Sequence, residues 1–205
     1  MCHASKYDEF KQTSKKCLKT FYGEDAQKSD DYSRIVSAHH CERLERLLVG
    51  NPGTIIAGGK IDISDRYVEP TIVVDVKLDS KLMTEEIFGP LLPVMQYNNI
   101  DEVINIINSD NLRRPLALYI FSKDRNLIDK VTSLVPSGGV VINDTIFQVM
   151  NPYIPFGGVG GSGTGAYHGK DIFPFILYDF LIYSSYFSLI SIFLKQYNFL
   201  VKLFF

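Results

Sequence analysis

The chain has 205 residues, a net charge of −2 and three cysteines. Its length suits one domain of ordinary size with one hydrophobic core. The near-neutral charge argues against a nucleic-acid partner, because nucleic-acid-binding proteins usually present a strongly basic face. The odd number of cysteines, without a C-x-x-C pair, indicates a reducing compartment rather than a disulfide or zinc framework. Since the polar N-terminus also lacks the apolar run of a secretory signal, we expect a cytoplasmic protein.

The N-terminal half is predicted to hold two helices followed by strands. Apolar residues at three- and four-residue steps predict a helix over 3–22, with Gly23 as its C-cap. A second helix is predicted to start at a cap on Ser29 or Asp30 and to end before Gly50. Strands are then predicted within 53–76 and 91–97.

Between residues 99 and 143, helices and strands alternate. An amphipathic helix over 99–111 precedes a buried strand within 115–124. A helix that begins at Arg125 is stopped by Pro136, and a strand follows over 139–143. Parallel strands need crossover helices of this kind. The sequence therefore predicts an α/β fold with a mostly parallel sheet and flanking helices.

The segment 152–170 is rich in glycine and contains a formal G-x-G-x-x-G over 158–163. In a dinucleotide-binding fold this motif follows a strand and opens a helix whose N-terminus faces the phosphate. Here Pro152 and Pro155 argue against a preceding central strand, and no helical periodicity follows. We therefore interpret the glycines as backbone that turns repeatedly and passes close to neighbouring segments.

Cysteine and histidine side chains do not form a recognisable metal or nucleophile motif. His39, His40 and Cys41 are consecutive, and neighbouring helix positions point about 100° apart, so they cannot converge on one ion. No cysteine has an activating partner nearby in the sequence. We expect no metal site, and we expect Cys17 and Cys41 to be helix residues that face the core or its edge.

The segment 83–94, MTEEIFGPLLPV, combines two carboxylates, an aromatic residue and a rigid turn. One interpretation is structural: a helix end, a Gly-Pro turn and the next strand. The other is a binding site in which carboxylates accept hydrogen bonds from ribose hydroxyls and Phe88 packs against a flat ring. The residues by themselves leave both interpretations open.

Several blocks, in this order, resemble one family: DRYVEPTIVVDV, EEIFGPLLPV, PLALYIFS, SGGVVIND and PFGGVGGSGTGAYHGK. They are similar to the aldehyde dehydrogenase superfamily, specifically to its class 3 or fatty-aldehyde-dehydrogenase-like branch. The resemblance covers residues 2–170. It implies that the α/β fold is part of an aldehyde dehydrogenase catalytic domain.

The resemblance implies oxidation of an aldehyde, fatty or aromatic, to a carboxylic acid, with NAD or NADP accepting the hydride. It implies that Glu86 hydrogen-bonds the nicotinamide ribose and that Phe88 packs beside the nicotinamide. It also implies that Phe156 lines the aldehyde pocket, that His168 lies near its entrance and that Ile146 is an apolar wall. The family commonly forms oligomers, so a homo-oligomer is expected.

The resemblance also indicates which chemistry lies elsewhere. In the family, the nucleophilic cysteine and the general-base glutamate come before the matched region, and Cys2 resembles a second, non-catalytic cysteine. We therefore expect a C-terminal portion of the catalytic domain that has no catalytic residue of its own and is inactive alone. Two alternatives stay open: a non-catalytic module that pairs with full-length relatives, and a small membrane-associated protein.

The segment 171–205 differs in composition from the rest, being dominated by Phe, Ile, Leu, Tyr and Ser. We expect residues 1–170 to form the family-like domain and 171–205 to be a separate hydrophobic tail. Three interpretations of the tail stay open. The first is a membrane anchor through residues 172–194, which would place the protein at the endoplasmic reticulum. The second is translated non-coding sequence, and the third is a buried strand and helix. The second is favoured, because the residues of the tail have AT-rich codons.

Overall fold

The computed structural model describes residues 1–50, 52–109 and 114–168, together with the backbone of Ile182–Ser184. The chain divides into two compact units, Met1–Asn98 and Asn99–Phe205. Each unit has a hydrophobic core of its own. The described residues thus form two cores, where the chain length had suggested one.

Helices and short strands make up the first unit, and its first helix is the one predicted. That helix begins after His3, whose ring nitrogen accepts a hydrogen bond from the backbone N–H of Ser5. It ends at Gly23, where φ is 75° and the backbone N–H donates to the carbonyl of Lys19. The helices are α1 (Ala4–Tyr22), a 3-10 helix (Ala26–Lys28), α2 (Ala38–Leu47) and α3 (Lys81–Thr84).

The predicted start of the second helix is wrong. Instead of Ser29 or Asp30, Ser37 caps α2, its hydroxyl accepting a hydrogen bond from a backbone N–H in the first turn. Long-range bonds hold the preceding residues outside the helix: Tyr32 Oη donates to the carbonyl of Val68 at 2.7 Å. Tertiary contacts therefore override the local helical pattern.

Strands of the first unit form three small sheets. The strands are β1 (Cys2–His3), β2 (Thr54–Ala57), β3 (Ile61–Asp62), β4 (Tyr67–Val68), β5 (Thr71–Val74), β6 (Leu91–Val94) and β7 (Gln96–Tyr97). The order β2-β5-β6 places fully buried β5 at the centre, antiparallel to β2 and parallel to β6. β1 pairs in parallel with β7, and β3 pairs in antiparallel with β4. The core packs α2 against β4, β5 and β6.

Tyr7 on α1 and Asp75, just after β5, bind each other twice. Tyr7 Oη donates to Asp75 Oδ1 at 2.8 Å, and the backbone N–H of Asp75 donates to Tyr7 Oη at 3.1 Å. Asp75 lies in the left-handed region with φ 55°, which Asp tolerates better than most residues. Since Tyr7 is 4 % exposed, this pair fixes α1 against the end of β5.

The second unit has the predicted alternation of helix and strand. Its elements are α4 (Ile100–Asn108), β8 (Ala117–Ile120), α5 (Arg125–Leu134), β9 (Gly139–Ile142), α6 (Phe147–Met150), a 3-10 helix (Gly160–Ser162) and β10 (Ile182–Ser184). The strand order is β10-β9-β8, and both pairings are parallel. α5 is the crossover between β8 and β9, and its buried face packs with α4 on these strands. The predicted α/β fold with mostly parallel strands is confirmed.

A membrane anchor through residues 172–194 was one of three open interpretations of the tail, and this segment lies outside the described residues apart from the backbone of β10. Among the described residues, none of the helices has both the length and the apolar character that crossing a bilayer requires. The division into 1–170 and 171–205 stays a prediction.

The Tyr7–Asp75 pair predicts a loss of stability when the hydroxyl is removed. We expect Tyr7→Phe to lower the free energy of unfolding by about 1–2 kcal/mol, because hydrogen bonds to charged groups contribute more than the ordinary ~1 kcal/mol. Urea denaturation measures this. The control is Tyr153→Phe at an 86 % exposed position, expected to change stability by less than about 0.5 kcal/mol. Equal losses at the two positions would contradict the prediction.

The same pair gives a pH dependence. Burial raises the pKa of Tyr7 to about 12. The stabilisation is therefore complete below the ordinary tyrosine pKa of about 10 and is lost as the pH rises through 12. The stability difference between the original chain and Tyr7→Phe should shrink over that range.

Candidate active site

Glu86 and Phe88 lie in the segment between α3 and β6. Both side chains are exposed, Phe88 by 84 %. Phe88 has φ 43°, in the left-handed region that bulky residues rarely adopt. A strained backbone of this kind persists when its surroundings hold it in place.

Arg43 on α2 holds this segment through its backbone. Nη1 donates to the carbonyl of Glu86 at 3.0 Å, and Nη2 donates to the carbonyls of Ile87 at 2.6 Å and Phe88 at 3.4 Å. Hydrogen bonds from a charged donor are stronger than neutral ones. Three successive carbonyls therefore face one guanidinium, while the side chains of Glu86 and Phe88 are exposed.

The next residue on α2 fixes the position of the following turn. Leu44 is fully buried, and a Cβ added at Gly89 would lie 2.5 Å from Leu44 Cδ2. Only a residue without a side chain fits there unless Leu44 moves. Arg43 and Leu44 together fix the position of the turn. The packing of Leu44 explains why glycine follows Phe88.

The second unit presents Ile146 at the end of β9. The strand is followed by Asn143, whose side chain exchanges two hydrogen bonds with the backbone of Ser122, at 2.9 and 3.0 Å. Ile146 has φ 66° and is 48 % exposed. Left-handed backbone is a strong outlier for a β-branched residue. The partly exposed, apolar Ile146 thus stands at the start of α6 in a constrained conformation.

Tyr167 contacts both Phe156 and His168. Phe156 and Tyr167 form an antiparallel bridge with N–H···O distances of 2.8 and 2.9 Å. Their rings pack edge to face with centroids 5.6 Å apart, and the rings of Tyr167 and His168 are 4.1 Å apart. Nδ1 of His168 is buried without a hydrogen-bond partner among the described residues.

Sequence reasoning missed the linking role of Tyr167. The bridge joins residues on the two sides of the glycine-rich segment, and a pairing of this kind has no local sequence signal. The one hint was the aromatic pair Tyr167–His168 directly after the glycines.

The interpretation of the glycine-rich segment is confirmed. A Cβ added at Gly157 would lie 2.1 Å from the carbonyl oxygen of Gly165, and one at Gly158 would lie 2.2 Å from that of Ser162. The backbone passes itself too closely for any side chain. Where the structure describes this segment, it contains a 3-10 turn, Gly160–Ser162, which is shorter than the helix that a dinucleotide fingerprint opens.

The five predicted site residues fall into two groups. Glu86 and Phe88 belong to the first unit, while Ile146, Phe156 and His168 belong to the second. Within each unit the residues are exposed or half-buried, as ligand contacts require. Their roles toward a cofactor or an aldehyde stay predictions.

All three cysteines are free and buried. Burial raises the pKa of the thiols of Cys2, Cys17 and Cys41 above the ordinary value. The thiolate is the nucleophilic form, so none of these side chains is activated. Within the described part of the chain, no group of three or more His, Cys, Asp or Glu side chains is placed to hold a metal ion.

The Arg43 contacts predict a loosened segment when the guanidinium is removed. We expect Arg43→Met, which keeps the aliphatic stem, to speed amide hydrogen exchange over residues 85–89 by about tenfold or more, since the lost bonds come from a charged donor. Arg46→Met, on the last turn of the same helix, is the control. Unchanged exchange over 85–89 in Arg43→Met would show that the guanidinium does not hold the segment.

Comparison with known proteins connects this geometry to a family. The model of the aldehyde dehydrogenase family matches residues 1–178. The chain is 48 % identical over 170 residues to aldehyde dehydrogenase family 3 member A2 of Mus musculus. It is 44 % identical over 173 residues to the dimeric NADP-preferring aldehyde dehydrogenase of Rattus norvegicus. These matches cover 83 % and 84 % of this chain but 34 % and 37 % of the relatives.

The chain therefore spans about a third of the length of the curated relatives it matches. A solved structure agrees with the fold: the substrate-bound state of Staphylococcus aureus AldH superposes with a TM-score of 0.77 at 45 % identity. The superposition covers 82 % of this chain and 36 % of that one. Sequence, fold and the ordered motifs agree that this chain belongs to the aldehyde dehydrogenase family.

Proposed function

We propose that this chain supplies cofactor and substrate contacts to an NAD- or NADP-dependent aldehyde dehydrogenase that oxidises apolar aldehydes to carboxylic acids. The observation that carries the proposal is the segment held by Arg43, in which an exposed carboxylate, Glu86, and an exposed aromatic ring, Phe88, are two residues apart. Membership of the family supports the proposal. The name of the rat relative, which describes that enzyme as NADP-preferring, also supports it.

The residues present suit a nicotinamide cofactor. Glu86 offers an exposed carboxylate to ribose hydroxyls, and Phe88 offers an exposed aromatic ring to a flat ring. When bound, the cofactor supplies the acceptor for the hydride that leaves the substrate. The role of Glu86 and Phe88 is to orient it, and the rigid backbone under them reduces the entropy lost on binding.

Residues of the second unit suit an apolar aldehyde. Phe156 lines the pocket and Ile146 forms an apolar wall, while His168 lies near the entrance. The close packing of Phe156, Tyr167 and His168 supports a shared, rigid surface. A surface of aromatic and aliphatic side chains favours aldehydes with fatty or aromatic groups over small polar ones.

None of the three cysteines serves as the nucleophile in this proposal. Attack on the carbonyl needs a thiolate, and burial disfavours that form at Cys2, Cys17 and Cys41. We therefore assign the nucleophile to none of these three thiols, and we expect the chain alone to be inactive. Three free cysteines suit the reducing cytoplasm, and the word dimeric in the name of the rat relative supports a homo-oligomer.

The cysteine assignment predicts slow thiol chemistry. We expect all three thiols of the folded chain to react with iodoacetamide about tenfold or more slowly than the same thiols in urea, because both burial and a raised pKa withhold the thiolate. Mass spectrometry of the labelled peptides measures this. In parallel, the chain alone should reduce no NAD or NADP with an aldehyde. Activity that is abolished by Cys2→Ser would overturn the assignment.

The cofactor assignment predicts a contrast between two adjacent carboxylates. In the protein that carries this chain, expressed from its own gene, we expect Glu86→Gln to lower kcat/KM for the cofactor by about 10-fold to 100-fold. A hydrogen bond to a charged group contributes about 1.5–3 kcal/mol, and ~1.4 kcal/mol is a factor of ten. Glu85→Gln is the matched control, since Glu85 is also exposed, and it should change the rate by less than about twofold.

Steady-state kinetics with an aldehyde and NAD or NADP make this comparison. Equal effects at the two positions would remove the special role of Glu86. If the unsubstituted protein that carries this chain oxidises no aldehyde, the proposed function as a whole is overturned.

A further inference from the structure

Gln148 joins the short helix α6 to the strands of the second unit. It is 6 % exposed. Nε2 donates to Oη of Tyr119 on β8 at 2.8 Å. The aliphatic part of the side chain covers the start of β9, where a Cβ added at Gly139 would lie 3.7 Å from Gln148 Cγ. The Gln148 side chain therefore connects α6 to β8 by a hydrogen bond and to β9 by packing.

The other end of this amide is unusual for a residue that only stabilises a core. Oε1 of Gln148 is buried and has no hydrogen-bond partner among the described residues. A buried polar atom without a partner is destabilising, and a leucine or methionine of similar volume would avoid the loss. The hydrogen bond from Gln148 to Tyr119 therefore contributes more to the position of α6 than to the stability of the fold.

The helix that Gln148 ties down needs an external anchor. α6 has four residues, far fewer than an isolated helix needs to be stable. Its N-cap is Ile146, whose left-handed backbone is unfavourable for a β-branched side chain. The amides of Val149 and Met150 donate to the carbonyl of Ile146 at 2.9 and 3.3 Å. Fixing α6 therefore fixes the backbone of Ile146.

We propose that Gln148, through its bond to Tyr119, is a positioning residue that holds Ile146 in its left-handed conformation and thereby sets the apolar wall of the aldehyde site. This inference rests on the proposed function, in which Ile146 contacts the substrate. Gln148 itself is buried and acts through Ile146. Its effect is confined to aldehydes large enough to reach that wall.

The test compares a long-chain or aromatic aldehyde with acetaldehyde in the protein that carries this chain. In both Gln148→Leu and Tyr119→Phe we expect KM for the large aldehyde to rise by about threefold to tenfold, the order of a lost apolar contact. We expect kcat, and KM for acetaldehyde, to change by less than about twofold. The double variant should be no worse than the more affected single variant, because both changes break one bond.

A matched control separates positioning from general destabilisation. Thr132 on α5 is buried to a similar degree and donates from its hydroxyl to the carbonyl of Ile128 at 2.7 Å. Thr132→Val should lower stability while leaving the ratio of the two KM values unchanged. Amide hydrogen exchange at residues 149–151 should speed up in Gln148→Leu and stay unchanged in Thr132→Val.

The two proposals fail differently. If aldehydes are oxidised but KM for the large aldehyde and for acetaldehyde change alike in Gln148→Leu, the positioning role is overturned and the proposed function stands. Exchange at residues 149–151 that rises no more in Gln148→Leu than in Thr132→Val overturns it as well. If the original protein oxidises no aldehyde, the proposed function fails, and the positioning role fails with it.

Discussion

The contact between the Arg43 guanidinium and the carbonyls of residues 86–88 is the constraint on which the candidate active site of the first unit depends. Phe88 adopts a backbone conformation that is unfavourable for an aromatic residue. A charged donor that gathers three successive carbonyls compensates for that conformation. The neighbouring Leu44 packs over Gly89, so a single turn of α2 fixes both the polar and the apolar side of the segment.

The second unit also holds a residue with an unfavourable backbone conformation in place, but through different contacts. Its strained position is Ile146, and the support comes from a buried amide on α6 and from close backbone packing in the glycine-rich segment. In both units an apolar residue in the left-handed region, Phe88 or Ile146, is itself exposed. Strain of this kind is typical of ligand-binding sites, where a rigid and pre-formed surface loses less entropy on binding.

The three cysteines show why family membership and a chemical role are separate conclusions. The proposed reaction needs a thiolate, yet every thiol of this chain lies in an environment that favours the protonated form. The chain spans about a third of the length of its curated relatives. In the proposed function, its described residues contact cofactor and substrate and take no part in the bond-making step.

The sequence by itself determined the α/β alternation and the family, because periodicity, glycine positions and ordered motifs are local signals. The roles of the five candidate residues come from the resemblance and stay predictions. The sequence correctly assigned Gly23 as a helix cap and the glycines after Phe156 to close backbone approach. It placed the start of α2 wrongly, because the bond from Tyr32 to Val68 is long-range and outweighs local propensity. Only the tertiary structure decided that Arg43 supports Phe88, that Tyr167 links Phe156 to His168 and that Gln148 reaches Tyr119. The partners in these contacts are distant in the sequence or joined through a tertiary bridge, and no local pattern records which side chains meet when the chain folds.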